Sequence, residues 1–188
     1  MTRKELNRLN TINDIENGFL RLYEKEGIDG VNVAAICQES QVSRSTFYLY
    51  FADKYAVLQQ VEERLLGQLW EYCGDLPDVL MRGEGSENAR KTVRHIRENI
   101  DWYRALLGQK GDPMFTYRWK RDIDKSLRKK LRQRNISEED AVIQGVIFAS
   151  SLIGIYTYII FEEPDISEER LVNYMDQLLD RILIRWSL

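Results

Sequence analysis

Histidine, cysteine and proline are scarce in this 188-residue chain, at one, two and three residues respectively. The lone histidine, His95, leaves no His/Cys cluster at metal-ligand spacing and no Ser–His–Asp arrangement, so neither a metal site nor a catalytic constellation is expected. Cys37 and Cys73 lie far apart without a CxxC, which points to reduced thiols in a cytoplasmic protein. With so few prolines, and with Leu, Glu, Arg, Lys and Gln abundant, the chain reads as all-α rather than sheet. No apolar signal region opens the sequence. Nor is there a surplus of positive charge: the net charge of −3 excludes indiscriminate coating of nucleic acid, but not a locally basic contact face. The Gly83-Glu84-Gly85 run lacks the third glycine, lysine and preceding strand of a phosphate loop, and no cofactor is expected.

One long apolar run is present, Val142–Phe161, of a length that would cross a membrane. Gln144, Ser150, Ser151 and Thr157 interrupt it and acidic groups flank it. A helix buried between partners, with no membrane contact, accounts for it better.

Along the chain, apolar residues at 12, 15, 19, 22 and 23 predict a first helix ending at Gly27. Asn32 caps a short second helix beginning at Val33, and Ser43 a short third over Arg44–Tyr50. Asp53 caps a fourth, with apolar positions from Val57 to Tyr72. A connection follows over Leu76–Ser86. Four more helices are predicted at Glu87–Leu107, Phe115–Arg134, Glu138–Phe161 and Glu168–Trp186, with Ser137 and Asp140 resembling a capping box.

Two short helices joined by a sharp turn can insert the second into a DNA major groove. Val33, Ile36, Val42 and Phe47 supply a small core and leave Arg44, Ser45, Thr46, Tyr48 and Tyr50 to project outward. Arginine can pair with guanine and hydroxyls can reach bases or phosphates. Asn32 and Ser43 present helix N-termini, and Lys54 follows where a phosphate would lie. The order Val33-Ala34-Ala35-Ile36, then Val42 through Phe51, then Asp53-Lys54, closely resembles the DNA-binding module of TetR-family regulators. The resemblance covers about Leu9–Leu66. It implies an all-α homodimer, with DNA contacts at Ser43, Arg44, Thr46, Tyr48, Tyr50 and Lys54. It also implies an N-terminal three-helix helix-turn-helix module (1–52) joined by a long helix to a helical effector-binding and dimerisation domain (53–188). Two departures stand out. Gln41 occupies the turn where the family usually has glycine, and Ser45 replaces a small residue, often glycine, at the start of the recognition helix.

The second part is less explicit. Gly145, Ala149, Ser150 and Gly154 put small side chains on a helix that is apolar nearly all round. Paired with the stripe Leu171, Met175, Leu178 and Ile182, and with Ile153, they suit a four-helix dimer interface, or else a monomer's core. The aromatic residues Trp102, Tyr103, Phe115, Tyr117 and Trp119, with Tyr156 and His95, either line a pocket for a small hydrophobic effector or are ordinary core and surface. Arg118–Arg134 carries nine Lys/Arg against two Asp. It forms a solvated face, an acidic-partner contact or a supplementary DNA attraction. The expected function is a homodimeric, non-enzymatic repressor released from an inverted-repeat operator by an effector. The alternative is an activator or co-regulator controlled by a protein partner.

Overall fold

The computed structural model describes residues 2–73, 85–133, 136–162 and 166–184. The described residues form nine α-helices and no strand: α1 (Arg3–Gly30), α2 (Val33–Glu39), α3 (Arg44–Tyr50), α4 (Lys54–Cys73), α5 (Gly85–Glu98), α6 (Ile100–Leu107), α7 (Pro113–Gln133), α8 (Glu138–Glu162) and α9 (Glu168–Ile184). The expected connection over 76–86 falls almost wholly outside the described residues, as does Trp186.

Local chemistry starts most of these helices. Thr2 and Glu5 form a reciprocal capping box that begins α1 well before the apolar stripe does. Asn32, Ser43 and Asp53 accept the amides of Ala35, Thr46 and Ala56 at 3.0, 3.0 and 2.9 Å, each satisfying an orphan donor of the first turn. Pro113 opens α7, where its missing N–H leaves nothing unsatisfied. Gly27, at φ 69°, breaks the helical path of α1 at the predicted stop, although helical turns resume to Gly30.

The helix expected over Glu87–Leu107 is two helices, α5 and α6. The side-chain amide of Asn99 donates to the carbonyl of His95 at 2.9 Å, beside the Asn99 backbone N–H at 3.1 Å. Such side-chain competition for a helix carbonyl is why asparagine is disfavoured in a helix interior.

The chain divides into two compact units, residues 1–65 with 101–112, and 66–100 with 113–188. In the first unit Ile15, Phe19, Ile36, Phe47, Val57 and Val61 are completely buried. Full burial of each such side chain is worth about 1.5–3 kcal/mol. Gly18 permits the close approach of α1 to the α2–α3 turn, because a Cβ there would lie 2.9 Å from Cβ of Ser40. Glu16, nearly buried, receives Arg64 at 2.9 Å and Gln60 at 3.0 Å and so ties α1 to α4. The 101–112 segment belongs here: Trp102 stacks on Phe19 with 6.4 Å between rings, and the Lys110 ammonium donates to the carbonyl of Lys25.

In the second unit α7 packs along α8, and α5 along α9. Trp119, Ile123, Leu127 and Leu131 bury one face of α7, as their four-residue spacing requires. Helix α8 is long and apolar enough to cross a membrane, but 44% of its apolar window is already buried in the protein.

The inward face of α8 is the one expected to be a dimer surface. Gly145, Ala149 and Ile153 are buried within a single chain, as are Leu171 and Met175 on α9. Of the predicted interface, Gly154 is exposed and Leu178 half-buried, while the Ile182 side chain lies outside the described residues. The unpartnered apolar face of α8 is instead Ile143, Ile147, Ser150, Gly154, Tyr158 and Phe161. Periodicity could not separate the two faces because both are apolar. Packing against α7 and α9 buries one of them within the chain.

Candidate nucleic-acid interface

The helix-turn-helix is built on a turn that needs an unusual backbone. Between α2 and α3, Gln41 takes φ 56°, the left-handed region usually given to glycine. Gln41 thus adopts the backbone that glycine would take most easily.

Ser43 then caps α3, and its hydroxyl lies 2.8 Å from both the Ser45 and Thr46 hydroxyls. Three hydroxyls are thus gathered at the helix start. Phe47, with no exposed surface, and Phe51 anchor α3 from beneath, their rings 5.8 Å apart. The anchor turns Arg44, Ser45 and Tyr48 outward, with Thr46 and Tyr50 half-buried beside them. Asn32 is exposed at the head of α2, its side-chain oxygen occupied by the Ala35 amide.

Leu49 was missed by the sequence reading. At 74% it is more exposed than any other large apolar residue described. An apolar side chain beside Tyr48 on such a helix suits contact with thymine methyl groups. Its periodic position was the available signal, since Phe47 and Phe51 fix the opposite face.

Lys54, expected on a phosphate, is used within the protein. Its ammonium donates to the carbonyls of Ile28 and Val31 at 2.7 and 2.8 Å, and more weakly to Asp29 at 3.4 Å. An ammonium has three donors, and these carbonyls occupy them while holding the end of α1 against the start of α4.

The aromatic residues expected to line an effector pocket separate into different settings. Trp102 and Tyr103 lie buried in the first unit. His95 is buried against Tyr72, with ring centroids 5.6 Å apart. Phe115, fully buried, packs 6.0 Å from Trp119. Trp119 and Tyr156 stack at 5.5 Å and line a small cleft that encloses about 30 Å³. The other lining residues are Leu66, Leu69, Trp70, Thr92, Asp122, Ile123 and Leu152, contributed by four helices. Only the fold brings them together. Among the described residues no group of His, Cys, Asp and Glu could hold a metal ion.

Residues 19–61 match the family described as bacterial regulatory proteins, tetR family, a span that covers the end of α1 through the first turns of α4. No curated protein matches the sequence. Solved structures share its fold over nearly the whole chain. A TetR transcriptional regulator from Streptococcus agalactiae 2603V is 23% identical, covering 94% of this chain and 97% of that one, with a TM-score of 0.64. The dihydroxyacetone kinase operon activator DhaS is 18% identical over 93% and 95%, with a TM-score of 0.61. The flavonoid-responsive regulator FrrA is 18% identical over 93% and 96%, at 0.55. At these identities the likeness is one of fold.

Proposed function

We propose that the chain, which belongs to the TetR family and is a DNA-binding transcriptional regulator, acts as a non-enzymatic homodimeric repressor in the cytoplasm and is released from an inverted-repeat operator by a small effector. The observation that carries this reading is the outward row Arg44, Ser45, Tyr48 and Leu49 on a helix capped by Ser43 and anchored by Phe47. We assign Arg44, Ser45, Thr46, Tyr48 and Tyr50 to DNA contact, and Asn32 and Ser43 to presenting the two helix starts. Residues 1–52 carry the reading role, and 53–188 the dimer and effector roles.

One such head offers a single arginine and several hydroxyls, too little charge for tight binding alone. Two heads on successive major grooves, about 34–36 Å apart, supply the rest. The exposed apolar face of α8 is the surface we assign to the dimer. The effector site is the cleft between Trp70 and Trp119. Its occupant must bind one arrangement of the heads better than the other, because only differential affinity shifts the equilibrium. The path is covalent at Asp112–Pro113: residues 101–112 cluster with the reading head, and α7, which carries Trp119 and Asp122, begins at the next residue.

A second reading keeps the head but makes the chain an activator or co-regulator controlled by a docked protein. The largely basic outer face of α7, with Met114 and Tyr117 exposed at its start, favours it, and one structural neighbour is an operon activator. Arg44→Ala and Tyr48→Ala each should weaken specific DNA binding about tenfold, the loss of one good base contact. Helical content and dimerisation should not change. Unaltered affinity in both variants, or a footprint left by a monomer on one asymmetric site, would overturn the proposal.

A further inference from the structure

We infer that Leu49 makes the reading head select a 5-methylpyrimidine, thymine or 5-methylcytosine, at one position of each half-site. This rests on α3 being the DNA-reading helix and deepens that reading by naming the group that is read, the C5 methyl.

Leu49 lies two residues after Phe47 and two before Phe51, the pair that anchors α3 from beneath. At about 100° per residue it is turned about 200° from Phe47, so it stands near the middle of the outward face. Its exposure of 74% agrees with that position. Ser45, one turn earlier on the same side, and Tyr48 flank it, and both are exposed. A helix that enters the major groove with this face brings Leu49 toward the base edges.

The chemistry changes along the face. The first turn carries the Arg44 guanidinium and the hydroxyls gathered by Ser43, which lies 2.8 Å from those of Ser45 and Thr46. The second turn carries the Tyr48 ring and Leu49. A base-edge donor or acceptor pressed against leucine would lose its water without gaining a partner. The C5 methyl of thymine is the apolar group that the major groove offers, and it gains by leaving water. Cytosine methylated at C5 carries the same group at the same place. Leu49 therefore discriminates by what it desolvates, whereas Arg44 discriminates by hydrogen bonding.

Uracil is thymine without the C5 methyl, so exchanging the two tests this while the hydrogen-bonding groups of the base pair stay the same. The probe is a duplex that the full-length protein selects from random DNA, with its thymines replaced by deoxyuridine one position at a time. At one position of each half-site the exchange should weaken binding about fourfold, and about 15-fold when both half-sites carry it. Methylating C5 of a cytosine placed at that position should strengthen binding about fourfold. Leu49→Ala, at an exposed site, should melt with the parent and bind the thymine and uracil duplexes equally. Arg44→Ala should weaken binding to both duplexes and keep the difference between them. Uracil tolerated at every position, or a thymine preference that survives Leu49→Ala, with Arg44→Ala still weakening binding, would overturn the methyl assignment alone. Selection of no duplex, or of one whose binding neither variant changes, would overturn the DNA-reading assignment of α3 and the inference with it.

Discussion

Val42 donates its backbone N–H to the carbonyl of Cys37 at 3.0 Å, closing the end of α2 across a left-handed residue. Gln41, that residue, donates to Gln38 at 3.3 Å. The pair of bonds is the helix-stop pattern in which glycine is the usual occupant. Left-handed backbone costs a side-chain-bearing residue roughly 1–2 kcal/mol. Glycine would remove that strain but add about 0.5–1 kcal/mol of unfolded-chain freedom. Gln41→Gly should therefore raise stability by about 0.5–1 kcal/mol, and Gln41→Val should lower it. Urea denaturation reads both. A glycine variant no more stable than the parent would show that the turn holds no strain.

Lys54 gives a different test, because structural and DNA-contacting roles predict different measurements. Replacing it with methionine removes the ammonium that gathers the Ile28 and Val31 carbonyls. The expected loss is about 2 kcal/mol, within the range for hydrogen bonds to charged groups. The salt dependence of operator binding should keep its slope. A phosphate contact would instead reduce that slope by about one, with little change in the denaturation midpoint.

What the sequence disclosed followed the range of the chemistry. Asn32, Ser43 and Asp53 were legible as caps because a cap and its amide lie three residues apart. The order of residues from Val42 to Lys54 was legible for the same reason: a short helix-turn-helix is local. The break at Asn99 was not, since one asparagine within a helical pattern does not by itself mark an end. Gly145 read as a small residue suited to an interface. Its smallness instead makes room for Asp124, whose carboxylate oxygen would lie in contact with any added Cβ, while Arg128 pairs with the same carboxylate. Leu66, Thr92, Asp122 and Leu152 could not be grouped at all from spacing, because their meeting depends on how four helices pack.

Tyr23 predicts how the reading head responds to alkali. Its ring is buried, and its hydroxyl is raised from 10.0 to about 12, first by burial and then by the charges of Asp112 and Glu62. The unfolded chain releases this proton near pH 10 while the folded protein retains it. The stabilising contribution is therefore fully present below pH 10 and is lost as pH rises toward 12. Stability should fall across that window, and Tyr23→Phe should flatten the fall by removing the titrating group. An identical slope in the variant would assign the alkaline loss to other residues.

The two faces of α8 allow folding and the proposed assembly to be tested separately. An added Cβ at Gly154 meets nothing within 4 Å, whereas Ala149 has no exposed surface. Arginine at 154 should thus be accommodated by the protomer, and it replaces glycine with a better helix former. In a dimer closed through Ile147, Gly154 and Tyr158, the same arginine would place a charge and a long side chain at the centre of the contact. Gly154→Arg and Ile147→Arg should each weaken dimerisation by roughly 30-fold or more, the scale of a lost hot spot. Circular dichroism should stay helical, and operator affinity should fall with the dimer because the heads no longer bind as a pair. Ala149→Arg should unfold the second unit instead. Sedimentation equilibrium distinguishes the outcomes: a Gly154→Arg protein that remains dimeric would move the dimer contact off this face of α8.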